Sequence, residues 1–467
     1  MVRNIALGVL LVASSSVLAA AQQDRCAQTS NQSKVGCTLA YLYQSPSYTG
    51  VPLGTLPIYQ NGQQAKDNGF DFQTNHAALT ATLGTELSTL PLTAPGSGFV
   101  YQYDAATGLE ARSTQSLGPI LAERGDTIGR HKVFVAFAYQ YFRFNTQDGI
   151  RTSSLHNVLQ HTVDSPPAAE DSDLVTTSDA IDLKIHQFTG FVTFGVTDRI
   201  DVSAVVPILN VRFGAYSAAT IQNIAPRVSH SFCQTGTPCL ISSFSKFQWA
   251  SGIGDVIFRV KAKVWGSEHT KLALGADLRV PSGDAMNFRG SGTFGARPFA
   301  ALSYSKRRIA PHANLGFQIN GDSILAGDFS TGTKAHLPNE LTYSVGTDFG
   351  VTSRFTLAGD WIGERVINGF NIHQSTCSET YPPTSGLVAT CVLGTRGGTC
   401  LINGQQQPCT FPVTTSTRSS YSMNDISIGG KISPFKRLLI TANAIIKLDD
   451  PGLRSKVIPL VGIGYTF

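Results

Sequence analysis

The sequence has few charged residues for its length. Charged side chains make up 14% of the 467 residues, whereas hydrophobic residues make up 42% and there are 45 glycines. Soluble globular domains carry roughly 25% charged residues, so this chain is short of charge for a surface that faces water. The formal net charge of +5 is also too weak to indicate a nucleic-acid partner, and we expect none.

The sequence also lacks long apolar runs beyond residue 22, where none reaches the roughly 18 to 20 residues that a membrane-spanning helix needs. The first residues nevertheless have the pattern of a signal peptide, with Arg3, an apolar run from Ile5 to Val12, and Ala19-Ala20-Ala21 before the cleavage point. We therefore expect a signal peptide at residues 1–21 and a mature chain from Gln22. An exported chain without spanning helices is secreted, periplasmic or an outer-membrane β-barrel.

The eight cysteines include no C-x-x-C spacing, which makes a zinc site the less favoured alternative. An even number of cysteines in an exported protein predicts disulfides. Short loop closure favours pairs between neighbours in the sequence. The expected pairs are Cys26–Cys37, Cys233–Cys239, Cys377–Cys391 and Cys400–Cys409, and we expect no metal and no cofactor.

From Arg130 onward, apolar and polar residues alternate with the period of β-strands. Each alternating segment is long enough to cross a membrane as a tilted strand, which takes roughly 9 to 11 residues. The fold class predicted is all-β, an antiparallel transmembrane barrel of twelve strands in residues 128–467. The strands are expected at about 131–144, 181–196, 199–213, 253–265, 270–281, 294–305, 309–320, 340–350, 354–366, 421–432, 437–448 and 456–467.

Short and long connectors alternate along these segments, as they do between the periplasmic turns and outer loops of such barrels. The short connectors lie around residues 197–198, 266–269, 306–308, 351–353 and 433–436. The other connectors are mostly long and rich in Gly, Ser, Thr and Pro, at residues 145–180, 214–252, 282–293, 321–339, 367–420 and 449–455. The pattern predicts that the long connectors face outwards from the cell and that both chain termini lie on the periplasmic side.

The charged residues of six strands all fall on the face opposite the apolar stripe. A soluble sandwich alternates too, but its strands are rarely so long and so regularly joined by short turns. Charge on the lipid face of a barrel costs about 2–4 kcal/mol for Arg or Lys at mid-depth, so these side chains are expected inside. They are Asp255, Arg259, Lys261, Lys263, Lys271, Asp277, Arg279, Glu340, Asp348, Asp425, Lys431, Arg437, Lys447 and Lys456.

The C-terminal strand ends on two aromatic residues, Tyr465 and Phe467. Barrels of the outer membrane carry aromatic girdles at the membrane interfaces. A terminal Phe with an aromatic residue two positions earlier also resembles the signal read by the barrel assembly machinery. We therefore expect that machinery and the lipid of the outer membrane of a Gram-negative-type bacterium as partners.

Residues 22–127 lack steady alternation and form a separate N-terminal segment. Leucines three or four positions apart predict an amphipathic helix at about 76–89. Residues 99–103 and 109–117 predict a hairpin that either stays outside the barrel or raises its strand number to fourteen. Since one helix is too small to bury its own apolar stripe, we expect part of residues 22–95 to occupy or cap the periplasmic mouth as a plug.

Four segments give the chain a resemblance to the outer-membrane family named after the phenol meta-cleavage pathway: GIGDVIFRVK (252–261), LRVPSGD (278–284), GSGTFG (290–295) and LPNELTYSVGTD (337–348). The resemblance covers about residues 179–467. That family is similar in outline to the transporters of long-chain fatty acids and aromatic hydrocarbons, which are barrels with an N-terminal plug. The resemblance implies an outer-membrane barrel and a transport role more strongly than it implies a solute.

No residue set in the sequence indicates an enzyme. His186 with Asp182, and His312, have no neighbouring nucleophile at a spacing that would fix one beside them. The expected function is a passive, porin-like channel for small hydrophobic or aromatic molecules, and the alternative is a surface-interaction barrel whose disulfide-braced loops bind an external partner. Residues of both charge signs are expected along the lumen, where cross-strand pairs would narrow the solute path: Arg259, Lys261, Lys263, Asp277, Arg279, Asp348, Asp360, Glu364, Asp425, Lys431 and Lys447.

Overall fold

The computed structural model describes residues 26, 33–39, 41–43, 56, 58–60, 63–65, 77–88, 90, 101–104, 109–112, 116–160, 174–222, 228–233, 238–329, 331–378, 392–393, 399–402, 405–408, 410–435 and 437–467. The expected signal peptide lies outside the described residues, as do Cys391 and Cys409. Among the described residues, no helix is both long and apolar enough to cross a membrane.

Residues 133–466 form a closed antiparallel barrel of twelve strands, which confirms the predicted fold class. Each strand pairs with the next along the chain, and the first and last strands close the ring. The strands are β1 (Val133–Gln147), β2 (Leu174–Gly195), β3 (Ile200–Gln222), β4 (Ile241–Ile253 continued by Val256–Gly266), β5 (Thr270–Val280), β6 (Gly295–Tyr304), β7 (Ile309–Asn320), β8 (Asn339–Thr352), β9 (Phe355–Ser378), β10 (Thr410–Ile432), β11 (Leu438–Lys447) and β12 (Val457–Thr466).

The predicted strand ends agree closely with the structure at the short connectors and less well at the long ones. We call these two ends of the barrel the short-turn end and the loop end. At the loop end β2, β3, β4, β9 and β10 run several residues beyond their predicted limits, into segments predicted as connectors. The barrel wall therefore continues past the apolar band as paired strands that face water on their outer side.

The outer face of the strands carries the apolar stripe. Phe137 is 63% exposed, Val260 52% and Leu315 54%, whereas Arg259 and Asp277 on the opposite face are 7% and 6% exposed. A soluble protein would bury its apolar side chains and expose the charged ones. The reversed arrangement, with a closed ladder that leaves no backbone edge unpaired, is that of a barrel in the outer membrane.

Two charges predicted inside are exceptions, Arg437 and Lys456. Arg437 directly precedes β11 and is exposed, so its predicted inward position is wrong. Ser455 and Ile458 both line the interior, so the strand contains an extra residue between them, and Lys456 and Val457 are exposed. The pairing with β1 is irregular at the same place. This bulge turns Lys456 away from the lumen, and its predicted inward position is wrong.

The remaining elements lie inside the barrel or at the loop end. Helix α1 spans Ala77–Leu87, within the predicted range. The predicted hairpin is shorter than expected, Tyr101–Asp104 with Leu109–Arg112, and forms a sheet of its own, so the barrel has twelve strands and not fourteen. Other short strands are Ile58–Gln60, Gln63–Ala65, Ile150–Arg151, Leu155–Gln160, Val228–His230, Asp322–Asp328, Thr333–His336, Val392–Leu393, Thr399–Ile402, Gln405–Pro408 and Leu453–Ser455, with 3-10 turns at Val35–Cys37 and Ala285–Asn287.

Two of the predicted disulfides are present, Cys26–Cys37 and Cys233–Cys239. Both close short loops at the loop end, and neither joins two barrel strands. The pairs Cys377–Cys391 and Cys400–Cys409 fall outside the described side chains and stay predictions.

The alternation of connector lengths predicts which end of the barrel faces the medium. An epitope tag inserted at Gly397, in the longest connector, should be labelled by an impermeant antibody on intact cells. A tag at Thr352, in a short turn, should be labelled only after the outer membrane is permeabilised. Labelling of Thr352 alone on intact cells would show the inverted orientation.

Candidate functional site

A strap of residues 116–128 crosses the interior of the barrel at the short-turn end. It begins against β8 and β9, where the Leu117 amide donates to Thr356 Oγ1 at 2.9 Å, and it ends against β3, where the Ile128 amide donates to Asp201. Between these points the amides of Glu123 and Gly125 donate to Asn314 and Ser303 on β7 and β6. The strap is thus hydrogen-bonded to strands around much of the ring.

Two carboxylates of the strap pair with a row of cations on β4 and β5. Glu123 accepts hydrogen bonds from Arg259 and from Lys261, the latter at 3.1 Å. Asp126 pairs with Lys263 at 2.9 Å and with Lys271 at 2.6 Å. Because Lys261 is only 2% exposed, its charge is tolerated inside the barrel only with such partners.

The same pairs set the protonation of the strap carboxylates. Burial raises the pKa of Glu123, but Lys261 and Arg259 more than offset it and hold that pKa below its usual value. Burial likewise raises the pKa of Asp126, and Lys271 and Lys263 hold the net pKa below the usual range. Both side chains are therefore ionised at neutral pH.

The first half of the strap is held by a second charged cluster near β8 and β10. Ser116 and Arg124 both contact Asp348, and Lys431 donates to the Pro119 carbonyl. Asp348 also pairs with His312 at 3.2 Å, and the other ring nitrogen of that histidine lies 2.6 Å from Asp360. This cluster anchors the strap to the wall opposite the Glu123 pairs.

The strap lies so close to the wall that one position requires glycine. A Cβ on Gly125 would lie 2.2 Å from the backbone oxygen of Lys271, far inside contact distance. The absence of a side chain therefore lets the backbone reach the strand. Any larger residue there would push the strap away from the Asp126 pairs.

Helix α1 and the described residues between 26 and 43 lie at the other end of the lumen. Helix α1 packs against the strand Asp322–Asp328, with Gly84 against Leu325, and Tyr421 of β10 donates to the Glu86 carboxylate. Tyr43 donates to Asp179 at 3.1 Å, and Lys34 pairs with Asp284 at 2.7 Å, both near the ends of strands at the loop end. We expected part of residues 22–95 at the periplasmic mouth. The described ones lie at the loop end, and the strap occupies the short-turn end, which is the periplasmic end in the predicted orientation.

A cavity of about 340 Å³ lies between the strap and helix α1. Leu121 and Glu123 form its floor, and Glu86, Leu87 and Leu90 form its roof. The arc of wall made by β12, β1, β2 and β3 is mainly apolar at this level, apart from Gln187 of β2: Ile458, Phe142, Phe144, Val205, Pro207 and Leu209. The opposite arc, made by β5, β6, β8, β9 and β10, is mainly charged: Asp277, Arg279, Arg297, Glu340, Glu364 and Asp425.

All eleven predicted lumen residues lie on the inner side of the barrel, but they divide into groups with different neighbours. Five of them line the cavity: Arg259, Asp277, Arg279, Glu364 and Asp425. Arg259 pairs with Asp277 on the neighbouring strand at 2.6 Å. Lys261, Lys263, Asp348 and Lys431 contact the strap, and Asp360 contacts His312. Lys447 pairs with Asp450 near the loop end, at 2.6 Å. Their role in a solute path stays a prediction.

Sequence reasoning missed the strap carboxylates Glu123 and Asp126, because their segment has no strand periodicity. A signal was present in β4, where Arg259, Lys261 and Lys263 all face inwards. The two neighbouring strands supply only two carboxylates at that level, Asp277 and Asp201. Buried cations require anionic partners, so carboxylates from another part of the chain were to be expected inside the barrel.

His186 and Asp182, considered above as possible catalytic residues, lie on the outer wall. His186 Nδ1 is 2.9 Å from the Tyr139 hydroxyl, and Asp182 pairs with Lys184 at 2.6 Å.

Removing the Glu123 carboxylate should loosen the strap. Breaking a buried ion pair from one side costs about 3–5 kcal/mol, because Lys261 and Arg259 lose a partner inside the barrel. We expect Glu123→Gln to raise single-channel conductance or the open fraction while the barrel keeps its heat-modifiable migration on gels. Glu268→Gln is the matched control, since Glu268 lies in a short turn with its side chain 89% exposed. Equal conductance in both variants would show that the strap is not held by these pairs.

Helix α1 should leave its site more readily as the pH rises. Burial, helped by Glu364 and Asp148 and opposed by the Tyr421 hydrogen bond, raises the pKa of Glu86 from 4.5 to about 8. The docked helix therefore binds more protons than the undocked helix between these two values, so docking weakens as pH rises from about 5 to about 8. Conductance of the unmutated protein should increase over that range, and Glu86→Gln should remove the dependence. The same slope in both proteins would contradict this assignment.

Comparison with solved structures finds other outer-membrane proteins. An outer-membrane channel from Pseudomonas putida F1 is 11% identical with a TM-score of 0.39, and the alignment covers 73% of this chain and 97% of that one. A FadL homologue from Pseudomonas aeruginosa is 11% identical with a TM-score of 0.29, over 80% and 94% of the two chains. The toluene transporter TbuX of Ralstonia pickettii is 9% identical with a TM-score of 0.29, over 72% and 89%.

No curated protein matches the sequence. The family described as "Putative MetA-pathway of phenol degradation" matches residues 169–371, which run from the start of β2 into β9. All four segments that carry the resemblance fall within this match, as does the first and larger part of its predicted extent, residues 179–371. This outer-membrane β-barrel therefore matches the phenol-degradation family across residues 169–371, as the resemblance predicts.

Proposed function

We propose that the barrel is a passive conduit for small hydrophobic or aromatic molecules, and that the cavity between the strap and helix α1 is a stopping point on their path. The observation that carries the proposal is the composition of this cavity. One arc of its wall presents Phe142, Phe144 and Leu209, and the opposite arc presents charged groups paired mostly with one another. Ligand sites are commonly apolar with a few polar groups that fix orientation.

The size of the cavity supports solutes of one or two rings. A volume of about 340 Å³ lies at the lower end of the range for small-molecule pockets, roughly 300–1,000 Å³. The apolar arc offers burial to a ring, and the amide and hydroxyl groups of Asn314 and Ser344 offer hydrogen bonds to a polar substituent. A long acyl chain would not fit without movement of the roof or the floor.

The charge pairs support passive passage of neutral molecules over selection of ions. Asp277 accepts from both Arg259 and Arg297, at 2.6 Å each, and Arg454 pairs with Asp425. Groups that neutralise each other leave little net field along the path. Release of the strap or of helix α1 would open the cavity to the two aqueous sides.

Flux through reconstituted liposomes tests the conduit. A phenylalanine at Ser344, which lines the cavity, should lower the flux of benzyl alcohol several-fold, because the ring occupies the space that the solute needs. Thr347→Phe is the control, since Thr347 lies on the same strand and is exposed on its outer face. Both variants should keep heat-modifiable migration. If liposomes with the unmutated protein pass aromatic solutes no faster than protein-free liposomes, even with Glu123→Gln, the conduit proposal fails.

That failure would favour the alternative, a closed barrel that presents its loop end to an external partner. The disulfide-closed segments Cys26–Cys37 and Cys233–Cys239 at the loop end support this second candidate. A closed barrel would show no conductance increase after strap loosening, whereas reduction of the disulfides would abolish partner binding and leave the barrel folded.

A further inference from the structure

Three cations form a row on the outer wall of the barrel. Arg143 of β1 is paired in register with Lys184 of β2, and Lys184 is paired with Arg212 of β3. Arg143 and Arg212 are exposed, and the Lys184 side chain is 31% exposed. Exposed Lys456, which directly follows the Ser455–Phe144 pair, extends the row towards β12.

The row lies at the upper edge of the apolar band. A tilted strand crosses the membrane in roughly 9 to 11 residues, and counting along β1 from Val133 places Arg143 at the far edge. Directly below the row lie Tyr141, His186 and Asn210, which are paired in register. Below them the outward-facing residues include Phe188 at 52% and Ile208 at 49% exposure. Trp249, paired with Arg212 and 62% exposed, marks the interface at the same level.

The charges of the row are only partly neutralised by their neighbours. Lys184 pairs with Asp182 at 2.6 Å, and Arg212 donates to the Asn210 amide oxygen at 3.1 Å. Asp182 is the one carboxylate among the outward-facing residues of β1 to β3 at this level, so the row keeps a positive excess. On the far side of the barrel, the outward faces of β5, β6 and β7 carry no charged residue over their described lengths, 270–280, 295–304 and 309–320.

We propose that this row binds the phosphate groups of a phosphorylated lipid in the leaflet at the loop end of the barrel. Arginine and lysine side chains form strong charge-assisted hydrogen bonds with phosphate, and arginine does so with two parallel N–H groups. The acyl chains of the same lipid would lie along the apolar band below, on Phe188 and Ile208. The site is therefore specific for phosphate joined to acyl chains, and it is independent of what passes through the lumen.

Native mass spectrometry of the full chain in detergent tests the proposal, with lipid A carrying two phosphates as the probe. The variant with Arg143→Gln, Lys184→Gln and Arg212→Gln should bind the probe about 100-fold more weakly. Each of the three cations near the lipid surface is expected to contribute several-fold to the affinity for the probe. The control variant with Arg199→Gln, Lys306→Gln and Arg308→Gln removes the same charge from exposed short turns and should bind like the unmutated protein. Lipid A without its phosphates should bind the unmutated protein as weakly as the probe binds the first variant.

Three results would overturn the proposal. They are equal binding of the probe by the two triple variants, equal binding of the phosphorylated and phosphate-free lipids, and displacement of the probe by inorganic phosphate at the same concentration, which would indicate a site for the free anion. The comparison of the two lipids uses the unmutated protein, so it decides the question even where the triple variant folds poorly. The single variant Arg143→Gln gives a second measurement, with an expected loss of several-fold.

Discussion

The pairing of strap carboxylates with the cations of β4 is the interaction on which the interior of this barrel depends. Arg259, Lys261 and Lys263 face the lumen at successive inward positions, and a chain of three cations cannot be buried there without anions. Glu123 and Asp126 supply them, at distances of 2.9 Å for Lys263 and 3.1 Å for Lys261. The cations of β4 cannot face lipid and therefore point into the lumen. There they hold the strap in place.

The strand segments inside the apolar band were predictable from the sequence. The segments that lie in water, beyond the band or inside the lumen, were not. Within the apolar band each strand must alternate, so β5, β6 and β7 were predicted to within one residue at each end. Beyond the band both faces of a strand tolerate polar residues. In the extension Ile241–Ile253 of β4, three serines therefore interrupt the outward apolar positions, and no regular alternation reveals the strand. The strap lacks any period because its contacts are individual hydrogen bonds and ion pairs.

The barrel wall is asymmetric. The polarity of its inner face and that of its outer face both differ between one group of strands and the other. The strands β12, β1 and β3 are mainly apolar towards the cavity, and the basic row lies on the outside of β1 to β3. By contrast, β5 to β7 carry paired charges inside and no charged residue outside. A lumen lined uniformly by charge would hold ordered water throughout. The apolar arc instead leaves one side of the cavity without groups that bind water tightly.

The direct continuity of the strap with β1 constrains how the molecule is made. Residues 129–132 join the strap to the strand that closes the ring with β12, and the Phe467 amide donates to the Val133 carbonyl beside that junction. Because the strap is covalently continuous with β1, any movement that brings β1 to β12 also brings the strap to the mouth of the lumen. Closure of the ring and occupation of the lumen are therefore linked through one connection of four residues, 129–132.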